Sequence, residues 1–208
     1  MTNTGLSNST PLLVLMRHGE SIWNREGRLT GRVDVPLTEE GRREAAAAAG
    51  RFPRLQIDVA YCSPLSRARE TAGLFLAALG CGTVPLIPEP LLLEKHYGIL
   101  QGLNKERVRE RYGDETYHLW HRSWEIGPPN GESLQEVADR VYPFFFQVVE
   151  EDLRLGKRVL LVAHGNLIRT LIKLVEKLSP EEVEEVAVAT ATPLVYQLTA
   201  AGWVRKVE

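Results

Sequence analysis

The chain has 208 residues, 44% of them apolar and 25% charged, with a formal net charge of −2 at pH 7. This length accommodates one ample core, while the charge balance excludes a general attraction to nucleic acid or an anionic membrane. Two cysteines, Cys62 and Cys81, exclude a disulfide scaffold and read as buried or semi-buried thiols of a reducing compartment.

Residues 1–10 are small and polar, without the basic start or apolar run of a signal peptide, and are expected as a flexible tail. No segment approaches the length of a transmembrane helix, so the cytoplasm is the expected location. Residues 12–16 read L-L-V-L-M, a buried parallel strand, and end abruptly in Arg17-His18-Gly19-Glu20. A polar, arginine-containing loop covers residues 27–34. Thr38 then caps a helix with Glu39 and Glu40 in its first turn and an alanine run at 45–49. Residues 57–62 form a second strand that Ser63-Pro64 breaks, and a helix follows through residues 71–79. Residues 84–87 make a short strand in which Pro85 points to an edge.

Residues 88–102 have no clear period but hold Glu94, His96 and Tyr97. Asn104 caps a short charged helix through Tyr112. The G-P-P-N-G break at 127–131 precedes a long helix opened by Glu132 and Ser133, which Pro143 kinks or divides. Residues 144–146, three phenylalanines, suit core packing or an interface. Residues 158–164 repeat the first pattern, a buried strand running into His164-Gly165-Asn166, with a helix through about residue 178. Ser179-Pro180 starts a further helical segment, and residues 193–198 and 203–207 complete the set as strands. Strands alternating with helices predict a three-layer α/β/α sandwich. Its central sheet is mostly parallel, with an antiparallel edge strand, and it forms a single domain over residues 11–208.

A lone histidine after a strand is more often structural than catalytic. Two separate strand-end histidines are harder to dismiss, because one parallel sheet brings His18 and His164 to the same edge, where open α/β sheets hold ligands. Gly19 is expected to let the backbone approach a ligand closely. Arg17 beside His18, and Arg67 in the S-P-L-S-R-A-R segment, offer the guanidinium groups that phosphoryl transfer needs for charge compensation, whereas Arg69 reads as part of a solvated helix face.

These pieces resemble the histidine phosphatase superfamily. The R-H-G-E and A-H-G-N blocks are shared by its phosphatases and mutases, whereas E-K-H-Y-G followed by L-Q-G-L-N-K is similar to the cofactor-dependent phosphoglycerate mutase branch. The resemblance spans residues 12–198. It implies that His18 is phosphorylated on its imidazole, that Arg17, Arg67 and His164 surround the transferring group, and that Glu94 is the general acid and base. It further implies that Asn24, Tyr97, Lys105 and Arg122 bind substrate, with Ser21, Thr30, Gly31, His121, Gly165 and Asn166 completing the rim.

The implied reaction is interconversion of 3-phosphoglycerate and 2-phosphoglycerate. It is primed by 2,3-bisphosphoglycerate and requires no metal. The alternative is a phosphohistidine phosphatase of small phosphorylated metabolites on the same scaffold. The implied assembly is a monomer or small homo-oligomer. Three positions depart from the branch pattern: His121 stands for an arginine, Arg32 for a tryptophan and Leu93 for an asparagine. Basic Arg205 and Lys206 make the segment after Ala200 a candidate for closing the site.

Overall fold

The computed structural model describes residues 10–206. All of the expected tail but Thr10, and Val207 of the last expected strand, therefore lie outside the described residues. Within them the strands are β1 (Leu12–Arg17), β2 (Val59–Cys62), β3 (Leu86–Pro88), β4 (Arg158–Ala163), β5 (Leu194–Thr199) and β6 (Gly202–Lys206). They form one sheet in the order β3-β2-β4-β1-β5-β6. The first four are mutually parallel, β5 runs antiparallel to β1, and β6 runs antiparallel to β5 at the edge.

Alternation along the strands divides the core. Leu12, Val14 and Met16, with Leu160 and Val162, pack on one face against α3 (Ser66–Ala78) and the short turn Ala48–Arg51 that follows α2 (Glu39–Ala47). Leu13 and Leu15, with Val159 and Leu161, pack on the other against α6 (Leu134–Phe144) and α8 (Gly165–Glu176). Successive side chains of a strand point to opposite faces, so a strand covered on both sides reads as a continuous apolar run. The predicted three layers follow.

Two helices lie in segments for which the sequence carries no helix expectation: α1 (Ile22–Arg25) and α5 (Asp114–Arg122), the latter directly after α4 (Lys105–Tyr112). Ser133 and Glu136 open α6 with a capping box. Pro143 lies in its last turn, after which the chain widens into a π-helical turn over Phe145–Val149 and resumes as α7 (Glu150–Arg154). The expected kink or division thus takes the form of a wide turn that begins two residues beyond the proline. Phe144 and Phe145 are buried, whereas Phe146 is exposed.

Gly19 serves a different approach from the one expected. A Cβ there would lie 2.3 Å from the carbonyl oxygen of Gly41, and one on Gly41 would lie 2.1 Å from that of Glu20. The two glycines let the loop after β1 press on the first turn of α2, and Thr71 Oγ1 accepts from Gly19 N–H at 3.0 Å.

Candidate active site

The β1–β4 register runs from Leu12 opposite Arg158 to Arg17 opposite Ala163, so His18 and His164 leave adjacent parallel strands at the same end. His18 N–H continues the ladder to Ala163 O at 3.0 Å. The two imidazoles meet edge to face, 5.1 Å between centroids. His18 Nδ1 lies 2.7 Å from Gly19 O. A carbonyl only accepts, so Nδ1 carries the proton and Nε2 holds the lone pair. Burial, then the Arg67 and Arg17 guanidinium groups, holds this imidazole well below the usual range. His18 is therefore a neutral ring with a nucleophilic Nε2 aimed away from its backbone.

Arg67, from the first turn of α3, is fully buried. Its Nε donates to His18 Nε2 at 3.2 Å, and its terminal nitrogens donate to Val33 O and Gly31 O at 2.9 and 2.8 Å. Arg17 is tied to Val188 O at 2.8 Å. Among the described residues, Arg17 Nε, Thr30 Oγ1 and both ring nitrogens of His164 are buried without a hydrogen-bond partner. Orphaned polar atoms are rare in protein interiors; Arg17 and Thr30 line one cavity of about 320 Å³, whereas His164 lies behind its lining, edge to face with His18. Burial and the neighbouring Arg67 also hold His164 well below the ordinary imidazole range.

Arg17, Arg28, Arg67, Lys105, Arg122 and Arg169 line that cavity against the single carboxylate of Glu94. The N-terminus of α8 adds its positive end through Gly165 and Asn166. Such a surface selects a small ligand with more than one negative charge. No group of three or more His, Cys, Asp or Glu side chains able to hold a metal occurs among the described residues.

Glu94 is held from two sides. Its Oε1 accepts from Lys95 N–H at 2.9 Å and its Oε2 from Asn166 N–H at 3.4 Å. Its backbone carbonyl accepts from Arg32 and Arg140, which both pair with Glu132 at 2.6 and 3.1 Å. Arg140 also bonds the carbonyls of Leu91 and Leu93. Arg32, which stands where the family resemblance calls for tryptophan, is thus part of a clamp on the loop that carries Glu94.

On the outer wall a directional chain connects four side chains. Arg169 donates to Asn166 Oδ1 at 2.6 Å, Asn166 Nδ2 donates to the Tyr97 hydroxyl at 2.8 Å, and that hydroxyl lies 2.9 Å from His121 Nδ1. Asn24, Thr30, Gly31, Tyr97, Lys105, His121 and Arg122 all line the cavity. Ser21 does not: it is fully buried and caps α1, its hydroxyl donating to Asn24 Oδ1 at 2.9 Å, which leaves the amino end of Asn24 for the cavity.

Sequence reading missed Arg28, Arg169 and the 187–189 segment. Arg169 was accessible in principle, because it follows Asn166 by three positions on one helix face. The described part of the segment after Ala200, residues 201–206, does not line the site: Arg205 pairs with Glu176 at 3.2 Å, and with Lys206 it lines a separate cavity beside Phe52.

The fold and this cation-lined site are those of phosphohistidine chemistry, and the comparisons agree. The model of the histidine phosphatase superfamily (branch 1) matches residues 13–207, and the chain belongs to that family. It is 46% identical over 199 residues to a 2,3-bisphosphoglycerate-dependent phosphoglycerate mutase of Parvibaculum lavamentivorans, covering 95% of each chain. It is also 46% identical to phosphoglycerate mutase 2 of Gloeobacter violaceus, covering 92% of this chain and 87% of the relative. Among solved structures, a mycobacterial glucosyl-3-phosphoglycerate phosphatase superposes with a TM-score of 0.82 at 29% identity, over 95% and 98% of the two chains. The alpha-ribazole phosphatase of Shigella flexneri gives 0.80 at 25% identity, over 94% and 95%. The chain is an enzyme of this superfamily that acts on small phosphorylated molecules.

Proposed function

We propose that the chain is a phosphohistidine-dependent phosphatase of small metabolites that carry a second anionic group beside the phosphate ester. The observation that supports this most is the tautomer of His18: a neutral ring anchored through Nδ1, with Nε2 facing Arg67, Arg17 and His164. In the first step Nε2 attacks phosphorus, the N–P bond forms and the ester P–O bond breaks. Glu94 gives a proton to the leaving oxygen. In the second step water attacks phospho-His18, the N–P bond breaks, and Glu94 takes the water proton as phosphate leaves. Arg17, Arg67 and His164 hold the equatorial oxygens, and charge compensation of this kind dominates phosphoryl transfer. The phosphatases among the solved relatives, and residues 201–206 lying away from the cavity, support water as the acceptor.

A second reading has its own support. The curated relatives at 46% identity are mutases, and Tyr97, Lys105 and Arg122 line the cavity as the mutase resemblance implies. In that reading the phosphoryl group passes from His18 to the other hydroxyl of a phosphoglycerate. The cationic lining fits 2,3-bisphosphoglycerate, which would supply the priming phosphoryl group when bound.

The test is turnover of 3-phosphoglycerate with and without catalytic 2,3-bisphosphoglycerate, following 2-phosphoglycerate and free phosphate together. Phosphate release unaffected by the bisphosphate is expected for the phosphatase. Bisphosphate-stimulated 2-phosphoglycerate with little free phosphate replaces it by the mutase. Full activity in His18→Ala would reject both.

A further inference from the structure

The outer wall gathers Lys105, Arg122 and Arg169, and among these fixed cations stands one imidazole. The His121 ring lies between two phenols, stacked on Tyr97 at 5.7 Å and 14° and on Tyr117 at 5.3 Å and 12°. Asn166 fills an acceptor position of the Tyr97 hydroxyl, so the phenol directs its own proton to His121 Nδ1. The ring hydrogen then sits on Nε2, which has no partner among the described residues.

Charge keeps the ring neutral. Burial holds His121 well below the usual imidazole range, and Arg122, Arg169, Lys105 and Lys95 push it the same way. The stacked rings act in the opposite sense, because a cation is favoured over aromatic faces. The groups facing the ring are Lys95 and Tyr97 from the loop before α4, Lys105 from α4, Tyr117 and Arg122 from α5 itself, and Arg169 from α8.

We propose that His121 reads the ligand's second anionic group, remaining neutral in the free cavity and taking one proton from solvent when that group lies among Lys105, Arg122 and Arg169. The new N–H forms at Nδ1 and reverses the bond to Tyr97, whose own hydroxyl proton turns to the ligand. The anion offsets the cations that opposed the proton. A ligand with one phosphate, seated at His18, leaves His121 neutral. The inference rests on the phosphohistidine reading for the place of the first anion.

Butane-1,4-bisphosphonate, which has no ester bond to transfer, and methylphosphonate serve as probes for the full chain. Imidazole carbon signals are followed by NMR at about pH 7.5, with His121→Gln assigning the resonance. His121 is expected to become imidazolium with the bisphosphonate alone. From neutral to alkaline pH, bisphosphonate binding should weaken about tenfold more per pH unit in the native protein than in His121→Gln, as uptake of one proton requires. His121→Arg, with a fixed charge, should show the shallow slope of the glutamine variant and tighter binding.

A His121 signal that stays neutral under saturating bisphosphonate overturns the proposal, as does an equal pH slope in the native protein and His121→Gln. Binding of methylphosphonate without the bisphosphonate also overturns it and leaves the His18 reading standing. Failure of both probes to bind removes the two together.

Discussion

Arg67 Nε donates to His18 Nε2 across 3.2 Å, so the guanidinium occupies the lone pair that attacks phosphorus in the proposed mechanism. Its other two nitrogens are fixed to Val33 and Gly31 carbonyls, so exchange falls on the Nε bond when a phosphate oxygen arrives. Lysine keeps the charge but loses the fork. Arg67→Lys should lower the rate of phosphoenzyme formation by about 10²–10³-fold, read by rapid-quench capture of phospho-His18. A rate within threefold of native would remove Arg67 from the reaction.

His164 is buried with neither ring nitrogen bonded. Desolvated polar atoms without partners cost stability, and an apolar side chain of similar volume does not carry that penalty. His164→Leu should therefore melt at a higher temperature than the native protein while losing most of its activity. Calorimetry beside an activity assay checks this; a lower melting temperature would show that the ring is held by bonds the structure does not contain.

His18 and His164 both have folded values depressed below the unfolded one, chiefly by burial. As pH falls through about 6.5 the unfolded chain takes up protons at these rings and the native chain does not. Stability is thus full above that pH and lost below it, by up to about 1.4 kcal/mol per pH unit for each ring. Urea midpoints measured from neutral to mildly acidic pH should fall accordingly, and His164→Leu should show a shallower decline. A flat profile would contradict the burial of neutral rings.

Two glycines in helices should respond in opposite ways to alanine. A Cβ on Gly41 would meet backbone atoms of Glu20, which cannot yield as a side chain does, whereas one on Gly73 in α3 meets nothing within 4 Å. Gly73→Ala should stabilise by about 0.5–1 kcal/mol through helix propensity. Gly41→Ala should destabilise by roughly 1–3 kcal/mol and displace the loop behind His18. Thermal melts of the two variants suffice; equal effects would mean that the loop has room the structure denies it.

Arg140 bonds three carbonyls of the loop carrying Glu94 and pairs with Glu132. Arg140→Met should reduce kcat by roughly tenfold or more with little change in KM, because a misplaced proton donor costs rate rather than affinity. An unchanged kcat would reduce the clamp to a structural tie.

The strands were legible because β1, β2 and β4 are apolar on both faces, and the strand-end histidines followed from them. Helix α5 was not, since Tyr117, Trp120 and His121 face the outer wall and its small aromatic core with Leu29 and Val108 rather than an aliphatic interior. Arg28 and Arg169 look in sequence like any surface arginine; burial separates Arg169, 5% exposed, whereas Arg28 keeps a side chain 36% exposed and is marked only by lining the cavity. Gly19 was read locally, and its partner is Gly41, a contact no neighbouring residue announces.

Strand order also governs when the site can come into being. β1 carries His18, yet its partners in the sheet are β4 and β5, both within the last 51 residues of the sequence, 158–208. A nascent chain that has delivered His18, Arg67 and Glu94 still has β1 with neither neighbour. The His18 imidazole is therefore set in place only after β4 has been made, through contacts of large sequence separation that form slowly, and a chain interrupted before Arg158 carries His18, Arg67 and Glu94 without the cavity they face.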